Sequence, residues 1–255
     1  MTLKLLVLFF TPLLAGLLVY LVPKGKNTNY KLLLVFAGAY LFSITVIHLL
    51  PELYSQPIGG PWIGLCVLGG FFLQQFLEYF TSGVEHGHIH AHGGHDHHHI
   101  QSTTQRSVSA LVLLAALCIH AFLEGAMLAE HGSHTIGYDM DAILIGIALH
   151  RAPAAFALVT VLAFQLGSRR RALPHLVVFS IAAPIGLLIN SYLASAEIIS
   201  REFMIFLYAL VCGNFLHIST TIVFESSPEH HFNARKLAVA VFGALVAVAA
   251  EYALG

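Results

Sequence analysis

Eight stretches of roughly 20 apolar residues recur along the chain, near 2–22, 31–53, 61–81, 107–130, 141–166, 173–194, 203–224 and 235–253. A helix of that length crosses the hydrocarbon core of a bilayer, about 30 Å thick, and satisfies its own backbone hydrogen bonds while doing so. The pattern therefore predicts an all-α integral membrane bundle of eight transmembrane helices, a single transmembrane domain over residues 1–255. Breaks rich in Gly, Pro and polar residues separate several of the stretches: PKGKNTN, SQPIGG, GSRRRALP and SSPEHHFN. The first stretch has no short apolar core ending in a small-residue cleavage site, so it reads as a span rather than a signal peptide. Composition agrees, with 57% hydrophobic and 10% charged residues against about 25% charged in soluble domains. A net charge of −1 and no basic run longer than Arg169, Arg170 and Arg171 argue against a nucleic-acid partner. Cys66, Cys118 and Cys212 all fall within apolar stretches, where a cysteine acts as a small hydrophobe.

The distribution of Lys and Arg sets the expected orientation, because cytoplasmic connections carry them in excess. Lys24, Lys26, Lys31, Arg106, Arg169, Arg170, Arg171, Arg235 and Lys236 make nine of twelve on one side. Lys4 and Arg201 lie on the other, and Arg151 lies within a span. Both termini are therefore expected outside, with a multi-pass location in a plasma or inner membrane. The long cytoplasmic connection, residues 82–106, holds eight of the seventeen histidines: His86, His88, His90, His92, His95, His97, His98 and His99. Neutral imidazoles on a Gly-interrupted run suit passing transition-metal ions, and nothing in the composition gives the segment a core of its own.

Ionisable groups at membrane depth cost about 2.5 kcal/mol or more, so they persist where they pair, bind an ion or line a polar cavity. The fourth stretch contains CIHAFLEGAMLAEH, which puts His120 and Glu124 four residues apart and on one helix face. The fifth contains GIALHRAPAAFAL, with His150 and Arg151 in mid-span and Pro153 beyond them. Pro153 removes a backbone donor and is expected to kink the helix beside His150. Two imidazoles and a carboxylate with one open position form a plausible Zn²⁺ ligand set; the alternative is a set of core residues joined by interhelical hydrogen bonds. His48 and Glu52, four apart around Pro51, and His217 in the seventh stretch are either stations on an ion path or interhelical hydrogen bonds.

The segments HLLPE at 48–52, GFFLQQFLE at 70–78, HAFLEG at 120–125, HRAP at 150–153 and GNFLH at 213–217 resemble, in order and over nearly the whole chain, the ZIP (Zrt/Irt-like) family of divalent metal transporters. The eight-span, termini-out plan with a His-rich connection after the third span resembles it too. The resemblance implies import of a divalent ion into the cytoplasm, Zn²⁺ foremost and Fe²⁺, Mn²⁺ or Cd²⁺ as alternatives, through a midplane site between the fourth and fifth spans. His120, Glu124, Gly125, His150 and Pro153 match the family's motifs. Ala121, Arg151, Ala154 and Ala155 stand where the family carries asparagine, glutamate, histidine and glutamate. Arg151, always protonated, then substitutes for the second metal of the family's binuclear site and leaves one metal position at His120, Glu124 and His150. The expected partners are a divalent ion and the bilayer, with a second copy of the chain as a candidate homodimer. The same residues also allow two other readings, a transport-deficient metal sensor and an intramembrane zinc hydrolase. The hydrolase is disfavoured because Glu124 cannot readily be both ligand and general base, so no enzyme is expected.

Overall fold

The computed structural model describes residues 1–21, 30–57, 59–81, 103–129, 140–225 and 234–254, and all of its regular structure is helical. In chain order the helices are α1 (Thr2–Leu17), α2 (Tyr30–Ile44), α3 (Leu50–Ser55), α4 (Gly60–Thr81), α5 (Thr103–Met127), α6 (Met140–Gln165), α7 (Arg169–Ser195), α8 (Arg201–Glu225) and α9 (Ala234–Leu254). A π-helical turn, Thr45–Leu49, joins α2 to α3, so the two form one continuous rod. Its cause is local. Pro51 has no N–H to offer and crowds the carbonyl one turn back, while Ser43 and Thr45 hydroxyls donate to the carbonyls of Ala39 and Leu41. These local bonds loosen the regular ladder.

Seven of these rods are long and apolar enough to cross a membrane, from Thr2–Tyr20 to Arg201–Val223. The chain is therefore a multi-pass membrane protein. The last helix, α9, has 21 residues and is not among these seven. The expected connection at 82–106 is shorter than the sequence suggested, because α5 already begins at Thr103; the eight histidines of 86–99 lie outside the described residues.

Burial runs opposite to that of a water-soluble protein. Leu3, Leu14, Leu65, Phe76, Phe242 and Leu245 point outward, whereas Gln74, His120, Glu124, His150, Arg151 and Asn214 are buried. In lipid the apolar exterior carries no penalty, and polar groups must find company inside. Trp62 and Tyr79, both largely exposed, mark opposite ends of α4. They stand 17 residues apart, about 26 Å along a helix, the separation expected of two interfacial aromatic belts.

Two crossings set the helix arrangement. Where α5 meets α7, a side chain at Gly125 would strike the carbonyl of Ala183, and one at Gly186 the carbonyl of Phe122. Where α4 meets α8, Gly70 faces the carbonyl of Leu210 and Gly213 that of Val67. Backbone-to-backbone approach of this kind is how helices associate without a hydrophobic driving force. Side chains add ties: Asn190 donates to the carbonyl of Ala126 at 2.6 Å, Tyr208 to that of Ala129 at 3.1 Å, and Tyr40 to that of Ala142 at 3.2 Å. The first two hold the end of α5 against α7 and α8; the third fixes the start of α6 on α2.

Candidate metal centre

His120 and Glu124 lie one turn apart on α5, and Gly125 beside them is the residue that lets α5 approach α7. His120 Nε2 is 3.1 Å from Glu124 Oε1. From α6, His150 brings its ring edge-on to that of His120, with centroids 5.9 Å apart. One donor atom from each of the three residues lies within 4.8 Å of the others. Ligands on a tetrahedral Zn²⁺ at about 2.0–2.1 Å stand roughly 3.4 Å apart, so a modest closure of side chains gathers these three around one ion. None of the three is more than 3% exposed.

Arg151, on the same turn of α6 as His150, is among the largest fully buried side chains. Its Nη1 lies 3.4 Å from Glu124 Oε2 and its Nη2 donates to the carbonyl of Phe179 at 3.1 Å. Its guanidinium carbon sits 4.8 Å from the centre of the Phe179 ring. A permanent cation is thus clamped between a carboxylate on α5 and a ring and carbonyl on α7, a cation–π arrangement strengthened by burial. Glu124 carries both relations, its Oε1 toward His120 and its Oε2 toward Arg151. Ala121 and Ala155 are packed in one apolar cluster nearby, and Ala154 is buried as well. None of these three can ligate. α6 continues as an α-helix through Pro153.

Of the other residues singled out from sequence, His48 and His217 each meet a carboxylate on another helix. His48 and Glu52 do not pair. The π-helical turn intervenes between them, and His48 Nδ1 lies 2.5 Å from Glu251 Oε1 on α9. Glu52 instead accepts from Gln56 at 3.1 Å. His217 Nε2 lies 2.6 Å from Glu78 Oε2 on α4. The sequence pointed to neither Glu251 nor Glu78 as a partner, because they lie 203 and 139 residues from His48 and His217. Phe179 was missed because its contribution is a ring face and a carbonyl.

Apolar helices around a buried set of imidazoles, a carboxylate and a guanidinium define a multi-pass membrane protein with a polar cluster in its interior. The match to a family model described as "ZIP Zinc transporter" covers residues 1–250. The chain belongs to the ZIP zinc transporter family. Among similar proteins, zinc transporter ZIP9-A of Xenopus laevis is 28% identical over 169 residues, covering 64% of this chain and 52% of that protein. Zinc transporter ZIP9 of Macaca fascicularis is 34% identical over 114 residues, 42% of this chain and 47% of that protein. ZIP9 of Micropogonias undulatus is 29% identical over 123 residues, 48% of this chain and 36% of that protein. The chain spans about half the length, or less, of these curated relatives.

Proposed function

We propose that this protein carries a divalent metal ion, Zn²⁺ foremost with Fe²⁺, Mn²⁺ or Cd²⁺ as alternative cargo, across the membrane into the cytoplasm. His120, Glu124 and His150 hold the ion one at a time. Arg151 occupies, as a fixed charge, the place a second ion would take. The single observation that carries this reading is the convergence of three metal-ligating side chains from two helices in a region without solvent access. A set of two nitrogens and one carboxylate leaves coordination positions for water, and that incompleteness lets an ion depart as well as bind.

The transport cycle follows from the burial of the set. One group of helices rocks against another so that the ligands face each side in turn, the general mechanism of carriers with midplane sites. In this reading α9 is the eighth span, its 21 residues reaching about 31 Å, and both termini lie outside. The charge bias of the connections supports that orientation. The whole chain then forms one transmembrane domain, and the histidines at 86–99 meet ions on the cytoplasmic side. Family membership favours transport over the sensor and hydrolase readings.

Uptake of radioactive zinc into proteoliposomes tests the proposal. Saturable uptake is expected for the intact protein, and none above lipid background for Glu124→Ala or His150→Ala reconstituted at equal density. Equal uptake by those variants would remove the site from the pathway.

A further inference from the structure

The crossing of α4 and α8 buries a second set of polar side chains, remote in sequence from His120 and its partners. Gln74 and Asn214 are fully buried. His217 and Glu78, 2.6 Å apart, have side chains 8% and 17% exposed, and the Phe71 ring packs edge-on against the imidazole at 4.8 Å. Asn214 and His217 are three residues apart on α8, and Gln74 and Glu78 four apart on α4, so each pair shares one helix face.

A histidine–carboxylate bond between two helices needs no third group, yet one is present. Among the described residues, neither Nδ2 nor Oδ1 of Asn214 makes a hydrogen bond, and His217 Nδ1 makes none either. Leaving a buried polar group unmatched costs about 1–3 kcal/mol, a cost that an apolar residue at 214 would avoid. The amide is therefore explained by something it binds. The place adds a second argument. Glu78 lies three residues before α4 ends at Thr81, and the chain beyond leads into the eight histidines of 86–99.

We infer that Glu78, His217 and the side-chain oxygen of Asn214 form a second site for a divalent transition-metal cation of the Zn²⁺ class, between α4 and α8 at the end from which the histidine-rich stretch departs. One imidazole nitrogen, one carboxylate and one neutral amide oxygen bind such an ion more weakly than two imidazoles and a carboxylate. That order of strength suits an ion being passed on. The inference rests on the transport reading, in which this site relays the ion between the His120 set and the histidine-rich segment.

Zinc bound per full-length protein, measured by equilibrium dialysis in detergent, tests it. Glu78→Gln and His217→Gln should each lower the count by one relative to the intact protein, while Glu78→Asp keeps it. The histidine-rich segment adds the same background to every variant. Glu124→Gln should independently remove one ion, and Glu78→Gln with Glu124→Gln should remove two. A fall with Glu78→Gln but none with Glu124→Gln supports the α4–α8 site while refuting the ligand set at Glu124. An unchanged count in monodisperse Glu78→Gln and His217→Gln overturns the inference. Asn214→Ala removes an unmatched buried amide and is expected to fold well. It should weaken the lower-affinity zinc site by about tenfold, near 1.4 kcal/mol; a gain in stability with unchanged zinc affinity also overturns the inference.

Discussion

Replacing Arg151 by methionine removes the buried cation while keeping most of the volume of its stem. At 3.4 Å from Glu124 Oε2, the pair attracts by about 5 kcal/mol at an effective dielectric of about 20. Taking away one partner of a buried pair leaves the other uncompensated and typically costs about 3–5 kcal/mol; loss of the Phe179 ring contact adds about 1 kcal/mol. Metal-free Arg151→Met should therefore melt well below the intact protein, by roughly 10 °C for a chain of this size. Zinc should then do more for the variant than for the parent, because Glu124 Oε2 is left facing a place shaped for a cation. One additional ion at 100 times its dissociation constant contributes about 2.7 kcal/mol. Thermal unfolding in detergent, with chelator and with zinc, measures both effects. If metal-free Arg151→Met melts with the intact protein, or if zinc raises the two melting temperatures equally, Arg151 does not stand in for an ion.

The glycine crossings make two further predictions. Gly125→Val drives a branched side chain into the carbonyl of Ala183, where backbone cannot yield easily. It should cost at least the roughly 1–3 kcal/mol of ordinary overpacking and abolish zinc uptake by moving Glu124 away from α7. Gly213→Val, at the α4–α8 crossing against the carbonyl of Val67, should lower stability by a similar amount while leaving the His120 set able to bind one zinc, as read by dialysis.

The spans were legible because membrane helices are announced by length and apolarity alone, and their ends fall within a few residues of the expected ones. The main shifts are at α5 and α7, each of which starts four residues earlier, at Thr103 rather than residue 107 and at Arg169 rather than residue 173. Polar Thr103, Thr104, Gln105 and Arg106 continue a helix that hydropathy cannot see. His120, Glu124, His150 and Arg151 were conspicuous for the same reason, since each interrupts an apolar run. What the sequence could not supply is who meets whom across the bundle. Glu78 and His217 are 139 residues apart, and His48 and Glu251 are 203 apart. No local period connects such positions. The four-residue spacing of His48 and Glu52 places two residues on one face only of a regular helix, and His48 lies in a π-helical turn. Gly125 matched a family motif, but its physical role, admitting the carbonyl of Ala183, needed α7 in place.

The central claim is that one zinc ion binds at His120, Glu124 and His150 with Arg151 beside it. Anomalous scattering at the zinc edge, from crystals of the zinc-loaded protein, tests this most directly. The account predicts one peak between α5 and α6, about 2.0–2.2 Å from ligand atoms of all three residues, with the Arg151 guanidinium still on Glu124 and Phe179. Two peaks flanking Glu124 with Arg151 displaced, or no peak at these residues at saturating zinc, would contradict it.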